Sequence, residues 1–432
     1  MKKKVAFYNL GCKVNDFDTE SMKACFLKVG YEVVPFDTAA DVYVVNTCTV
    51  THLGDRKSRQ MLRKARRKNP NAVIVAAGCY AQVAPEEISK IEEVDLILGT
   101  AHRNRVVDEV ARFQEDHHRQ VYVSDISEQH IFEDMPIAEH RRHTRAFLKV
   151  QDGCNQFCTY CIVPYARGCI RSRRIDSVCE EVRLLASDGF KEFVLSGIHI
   201  ASYGKDMPGG PDLLTLIRAV DAIPGVARIR LGSIEPLLMT ETFVAGLSEI
   251  KSFCPHFHLS LQSGCDAVLR RMNRHYTTEQ YFEIVQRIRR YFSKPAITTD
   301  VIVGFPGETD EEFQATKDFM TAVNFYKVHV FKYSKRHGTP AADFEGQVDE
   351  TTKHRRSQDL IALSREQEQA FLKENAGERM PVLFEQLQAN HRIEGHTPNY
   401  IPVRMFADGK KIGQIQELML QYSKDQAYMV GE

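Results

Sequence analysis

The sequence predicts an α/β protein in three parts: an N-terminal Rossmann-like parallel sheet, a central partial βα barrel, and a small antiparallel β-barrel of OB-like size. Three observations predict it. Short apolar, β-branched runs alternate with helical patterns from the start of the chain to about residue 333. Six strand–helix units follow one another between 146 and 333, which favours a βα barrel with its site at the C-terminal strand ends, although periodicity alone also suits an open sheet. After a charged helical stretch, the pattern changes to short alternating strands broken by glycine. The length of 432 residues agrees with several domains at ~150 residues each.

Taken in order, residues 5–9, 42–46 and 73–77 read as strands, with helical patterns at 18–29 and 55–68 between them. This unit ends near Gly99, and a polar, His- and Arg-rich connection containing Met135-Pro136 follows. The central strands are expected at 147–150, 193–195, 229–231, 258–261, 299–303 and 327–331, with helices including 177–188, 212–223, 278–291 and 310–323. A charged helix spans 349–375 and stops at Ala376-Gly377. Strands at 382–384, 392–396, 400–404 and 412–418, with Gly395, Gly409 and Gly413 near their bends, make the last part. The expected divisions are 1–135, 136–375 and 376–432.

Composition excludes other classes. Hydrophobic residues at 43%, charged residues at 26%, 25 Gly and 16 Pro do not suit disorder or a fibrous repeat. No apolar run approaches the ~18 residues of a membrane span, and Met1-Lys2-Lys3-Lys4 is not followed by a leader with a cleavage site. Lys+Arg and Asp+Glu both number 57, so any nucleic-acid binding must use local patches. Eleven cysteines without an export signal point to reduced thiols in a cytoplasmic setting.

The cysteines carry the functional argument. Cys154, Cys158 and Cys161 form C-x3-C-x2-C directly after a predicted strand and Gly153. A loop this short folds three thiolates around one face of an iron–sulfur cube, leaving the fourth iron open, with Tyr160 as an apolar wall. A zinc knuckle is the competing reading, but it usually pairs two such motifs, and no second pair lies nearby. Cys12, Cys48 and Cys79 share no short motif, yet each follows a predicted strand. Parallel sheets bring C-terminal strand ends to one edge, so these thiols either form a second metal centre or pack as three small core residues. Cys25, Cys169, Cys179, Cys254 and Cys265 share no spacing and read as structural.

C-x3-C-x2-C with an aromatic residue before the last cysteine resembles the signature of radical S-adenosylmethionine enzymes. The run from Gln151 to Gly168, together with Leu10-Gly11-Cys12-Lys13-Val14-Asn15, Asn46-Thr47-Cys48-Thr49-Val50-Thr51 and Gly78-Cys79-Tyr80-Ala81-Gln82, resembles the methylthiotransferases of that group. The likeness extends to a TRAM-like end from about Glu378. Lys-Val-Asn after Cys12 and Thr-Val-Thr after Cys48 are most similar to the branch acting on threonylcarbamoyladenosine in tRNA. The alternatives are the isopentenyladenosine branch and the branch acting on a ribosomal-protein aspartate, which carry other residues there.

The resemblance implies two [4Fe-4S] clusters. That of Cys154, Cys158 and Cys161 binds S-adenosylmethionine and splits it to a deoxyadenosyl radical; that of Cys12, Cys48 and Cys79 handles sulfur. Such chemistry suits adenine carbon 2, whose hydrogen is not acidic and is beyond any Asp, His or Lys base. The resemblance also implies an electron donor such as flavodoxin or ferredoxin, without identifying the sulfur donor. It places Ser196, Gly197, His199, Ser233, Glu235, Gln262 and Ser263 at strand ends around the cofactor, and Val303, Gly304 and Phe305 against its adenine; each also suits an ordinary strand-end turn. Cys265 stands where the family pattern has a serine. An iron–sulfur electron carrier or RNA-binding sensor would hold similar irons without cleaving S-adenosylmethionine, and the C-x3-C-x2-C spacing speaks against it.

Basic runs suggest tRNA. Arg56, Lys57, Arg59, Arg63, Lys64, Arg66, Arg67 and Lys68 crowd one predicted helix; Arg141, Arg142, Arg145 and Lys149 form a second group, and Arg167, Arg171, Arg173 and Arg174 a third. Phosphate neutralisation and a solvated helix face are both open for any one run. Phe384 or Tyr400 would stack on bases or serve as core aromatics.

Overall fold

The computed structural model describes residues 2–135, 144–388, 391–406, 411–424 and 426–431. Pro136, Arg141, Arg142 and Gly409, singled out above, lie outside the described residues. Six strands form the first sheet: β1 (Lys4–Asn9), β2 (Glu32–Val34), β3 (Val42–Thr47), β4 (Val73–Gly78), β5 (Leu96–Leu98) and β6 (Gln120–Tyr122). All pair in parallel in the order β2-β1-β3-β4-β5-β6. β3 and β4 are buried along their whole length, so they read as unbroken apolar runs. α1 (Lys13–Lys28) covers one face with Met22 and Phe26, and α2 (His52–Lys68) covers the other with Met61, Leu62 and Ala65. Chain order reverses between β1 and β3, and ligands collect at the carboxyl ends beside such a reversal.

α1 begins at Lys13, earlier than its apolar period indicates, because its first turns bury polar Asn15, Asp18 and Thr19. β2, β5 and β6 have three residues each, too short to register as a period.

In the central part, β7 (Arg145–Asp152), β8 (Arg171–Ser172), β9 (Glu192–Gly197) and β10 (Arg228–Leu231) make one sheet ordered β10-β9-β7-β8. β11 (Ser233–Ile234), β12 (His256–Leu259), β13 (Ala296–Val303) and β14 (Lys327–Lys332) make another. At Gly232 the chain passes from β10 to β11, and its pairing moves from β9 to β12. Apart from short β8, these strands are parallel. The two sheets thus form a partial βα barrel whose outer strand faces pack against the helices in one apolar core.

The helix Glu350–Glu374 packs along β14, where Ser364 Oγ accepts from Val328 N at 2.9 Å. β15 (Arg379–Gln388), β16 (Arg392–His396), β17 (Pro402–Phe406), β18 (Ile415–Gln421) and β19 (Met429–Gly431) then close a barrel in the order β15-β16-β17-β19-β18. The sequence predicts it to be antiparallel throughout. It is so except where β19, inserted between β17 and β18, runs parallel to β17. Phe384 is fully buried inside this barrel and is a core aromatic.

A buried ionic network joins the first two parts. Asp18 on α1 receives Lys149 Nζ at 2.9 Å and Arg167 Nη1 at 2.8 Å, and is also bound by Arg103. Lys149 reaches Asp152 at 2.6 Å, and Arg167 meets the same carboxylate at 3.2 Å. Burial by itself would raise the pKa of Asp18 and Asp152, but the surrounding cations overrule it and lower both. Removing one partner from such a network costs about 3–5 kcal/mol. Lys149→Met is therefore expected to lower the thermal transition and open the joint to limited proteolysis; an unchanged transition would show that the network does not join the two parts.

Candidate active site

β1, β3 and β4 lie side by side, with Asn9 opposite Asn46 and Asn46 opposite Ala77. Cys12, Cys48 and Cys79, just beyond the three strand ends, therefore share one edge. Two glycines permit the close approach. Gly11 has φ +111°, and a Cβ there would lie 3.1 Å from Cys48 Sγ; Gly78 has φ +95°, and a Cβ would lie 2.3 Å from Asn46 Oδ1. Asn15 ties the edge together by donating to Leu10 O at 2.7 Å and Thr47 O at 3.1 Å. Arg167 arrives from the central part and places Nε 3.3 Å from Cys79 Sγ. Burial pushes the Cys48 thiol up to about 11 and also raises Cys79.

The second trio lies on the loop after β7. Gly153, at φ +75°, passes so close to the returning chain that a Cβ would lie 1.8 Å from Cys169 O. Cys154 N donates to Gly168 O at 3.0 Å, and Cys161 N donates to Cys158 O at 2.9 Å. Phe157 takes a left-handed φ of +46°, which turns the chain between the first two cysteines. Burial, with repulsion among the sulfurs adding to it, pushes Cys154 up to about 11 and Cys161 to about 12. Arg274 Nη1 lies 3.3 Å from Cys158 Sγ, and its Nη2 holds Glu235 at 2.6 Å.

All six thiols are free. Burial, more than repulsion between sulfurs, disfavours the thiolates of Cys48, Cys79, Cys154 and Cys161, whereas Cys12 is exposed. A metal that binds the deprotonated form removes that penalty, and soft thiolates in threes suit iron–sulfur clusters. Both donor sets fit such a group.

Cys12 from the first trio and all three cysteines of the second line one cavity of about 880 Å³, large within the ~300–1,000 Å³ of ligand pockets. The cavity continues inside the barrel to Arg145, Arg230 and His256, and to His396, Tyr400 and Pro402 of the C-terminal barrel.

Residues 148–320 match the model of the Radical SAM superfamily, and residues 4–99 that of Uncharacterized protein family UPF0004. Threonylcarbamoyladenosine tRNA methylthiotransferase MtaB of Bacillus subtilis (strain 168) is 40% identical over 420 residues, 96% of this chain and 93% of the relative. MtaB of Aquifex aeolicus (strain VF5) is 40% identical over 418 residues, 96% of this chain and all of the relative. The tRNA-2-methylthio-N(6)-dimethylallyladenosine synthase of Clostridium tetani (strain Massachusetts / E88) is 34% identical over 418 residues, 95% and 92% of the two chains. The chain belongs to the radical S-adenosylmethionine methylthiotransferase family. It is an enzyme of the kind that uses a [4Fe-4S] cluster and S-adenosylmethionine. Its fold is similar to that of the radical S-adenosylmethionine methyltransferase TsrM from Kitasatospora setae, with a TM-score of 0.58 at 15% identity, covering 79% of this chain and 77% of that one.

In this methylthiotransferase the residues expected around the cofactor divide. Ser196, Gly197, His199, Ser233, Glu235 and Gln262 line the cavity. Ser196 Oγ is buried without a hydrogen-bond partner among the described residues, at about 1–3 kcal/mol, a cost a polar ligand relieves; His199 Nε2 is buried with the Glu235 carboxylate 3.9 Å away. Ser263, Val303, Gly304 and Phe305 do not line the cavity. Ser263 Oγ lies 3.2 Å from Thr316 Oγ1, Val303 packs in the apolar core, and Gly304 abuts Lys353. Phe305 packs edge-on against Tyr333 and Phe344. Strand alternation accounts for Val303: Thr298 and Asp300 face the cavity, which turns Val301 and Val303 away from it.

The basic groups divide too. On α2, Arg56, Lys57, Arg63 and Arg67 are exposed, whereas Arg59 donates to Tyr80 Oη at 2.8 Å. Arg66 holds Asp95 at 2.7 Å and the carbonyls of Pro70, Ala72 and Glu93, so it braces the domain instead of facing phosphate. Arg167, Arg171 and Arg173 are buried among acids, and Lys149 belongs to the ionic network, so these are not phosphate contacts either. Arg174 alone of its run is exposed. Tyr400 is stacked between His256 and His396, each ring 4.7 Å away, and lines the cavity instead of presenting a free face to RNA. Sequence reasoning missed Arg274, and the gathering of His258, Asp300 and His329 within 4.8 Å. These three lie on separate strands, and only the parallel register brings them together.

The glycine geometry gives a direct test. Gly11→Ala sets a methyl group 3.1 Å from Cys48 Sγ and crowds that sulfur, whereas Gly30→Ala, at φ +89° with nothing within 4 Å of the new Cβ, carries similar backbone strain without the crowding. Anaerobic reconstitution of Gly11→Ala is expected to recover about half the iron of Gly30→Ala; equal iron in the two would dissociate the glycine from metal binding.

Proposed function

We propose that this enzyme methylthiolates carbon 2 of N6-threonylcarbamoyladenosine beside the anticodon of tRNA, in the cytoplasm. The observation that carries the reading is one cavity lined by Cys154, Cys158 and Cys161 and reached by Cys12 of the first trio. In this reading Cys154, Cys158 and Cys161 hold the cluster that binds S-adenosylmethionine, and Cys12, Cys48 and Cys79 hold a second [4Fe-4S] cluster. When bound, these groups supply one-electron bond cleavage on one side of the base, and sulfur with its methyl group on the other. The chain itself supplies alignment. Glu235, fixed by Arg274 and faced by His199, and the unpaired hydroxyl of Ser196 receive the polar end of S-adenosylmethionine. The walls exclude water and hold the adenine between the two trios.

Substrate choice is supported by the 40% identity to two relatives named for threonylcarbamoyladenosine, while a third so named stands at 35%, inside the 34–37% of those named for the dimethylallyl compound. Residues 1–135 serve sulfur handling, 136–375 the radical chemistry and 376–432 RNA binding. Arg56, Lys57, Arg63 and Arg67 on α2 meet phosphate, with the salt dependence that implies. A flavodoxin or ferredoxin supplies electrons.

Transfer RNA from a strain lacking the gene is expected to contain threonylcarbamoyladenosine and to lack its 2-methylthio derivative by nucleoside mass analysis; unchanged tRNA would overturn the proposal. Cys158→Ala is expected to abolish deoxyadenosine formation. Cys48→Ala is expected to leave deoxyadenosine detectable and to stop sulfur insertion; identical behaviour of the two variants would refute the division of roles.

A further inference from the structure

The inner end of the cavity carries more positive charge than the protein neutralises. Arg145, Arg228 and Arg230 share the single carboxylate of Glu192, at 3.8, 3.5 and 2.9 Å. Arg145 also pairs with Glu385 at 2.7 Å, and Glu385 is in turn shared with His396 at 2.8 Å. Lys13 joins them from the other domain. It follows Cys12 directly, lines the cavity over the Phe147 ring at 5.5 Å, and lies within electrostatic reach of Arg145, Arg230 and Glu192. Among the described residues it makes no ion pair. Lys13, Arg145 and Arg230 thus line the cavity, with Arg228 buried behind them on carbonyls of the C-terminal barrel, and the four share the two carboxylates of Glu192 and Glu385.

A buried excess of cations is costly unless an anion completes it. An isopentenyl chain has no polar atom to offer these groups. A threonylcarbamoyl group does: its threonine is joined through nitrogen and keeps a free carboxylate, which suits a planar guanidinium and an ammonium. We propose that Lys13, Arg145 and Arg230 bind the carboxylate of the threonylcarbamoyl substituent inside the barrel, and so select that nucleoside. The assignment rests on the function proposed above and adds the group that recognises the substituent. It also gives a physical reason for a lysine at the position next to a cluster cysteine.

The test uses reconstituted full-length enzyme and two synthetic anticodon stem–loops, one bearing threonylcarbamoyladenosine and the other its methyl ester. Binding is read as Kd, separately from turnover. Wild-type enzyme is expected to bind the free acid at least about tenfold more tightly than the ester, in line with a charge-assisted contact. Lys13→Gln is expected to lose most of that preference through weaker binding of the acid, with its iron content and cluster spectrum matching wild type. Equal wild-type affinity for acid and ester, with the acid still converted to its methylthio product, would overturn the carboxylate site while leaving the function standing. Lys13→Gln that keeps the full preference would overturn the role of Lys13. If wild-type enzyme converts no threonylcarbamoyladenosine at all, the function fails and the site falls with it.

Discussion

Asp18 and Asp152, with the cations between them, are the constraint on which the rest of the structure depends. One carboxylate belongs to the first helix of the N-terminal sheet and the other to the end of the first barrel strand. Lys149 and Arg167 bridge them without solvent access. A buried ionic joint is geometrically demanding, because its charges must be met from several directions at once. That demand turns the carboxyl edges of two parallel sheets toward one cavity. Arg167 serves both purposes, since the guanidinium that closes the joint also reaches a sulfur of the first trio. A second contact, Arg336 to Asp55 at 2.6 Å and to Thr49 at 2.6 Å, fixes the neighbourhood of Cys48 in the same way.

The division of labour follows from where parallel sheets put their strand ends. The flavodoxin-like order of the first sheet opens its crevice between β1 and β3, beside Cys12 and Cys48. The barrel opens at the same end as its cysteine loop. Facing the two openings toward each other makes one shared cavity with sulfur donors at its mouth and cations at its inner end. In each trio one arginine contacts one sulfur, Arg167 at Cys79 and Arg274 at Cys158. The charge a bound cluster would carry is thereby met by groups already held in place by acids.

Much of this was legible in the amino-acid order, for identifiable reasons. β3 and β4 announce themselves as apolar runs because both faces are covered, and the helices Thr278–Tyr291 and Asp310–Val323 begin with capping boxes that mark their starts. The cysteine loop is contiguous, so its spacing is visible directly. What escaped notice is nonlocal. Arg66, Arg167 and Arg173 resemble free surface charge until their acidic partners are brought in from distant segments. Val303 is turned from the cavity by strand alternation, and Phe305, beyond the strand end, is drawn to Tyr333 and Phe344 from distant segments. α1 conceals its start because its buried face is polar where it joins the ionic network.

An iron–sulfur structure obtained without oxygen addresses the central claim most directly: a crystal of the reconstituted enzyme, with metal identity established by anomalous scattering. Two iron cubes are expected, one on Cys12, Cys48 and Cys79 and the other on Cys154, Cys158 and Cys161, each with one iron free of cysteine and open to the shared cavity. Zinc with every coordination position filled at either trio, or six sulfurs that hold no cluster, would contradict that claim.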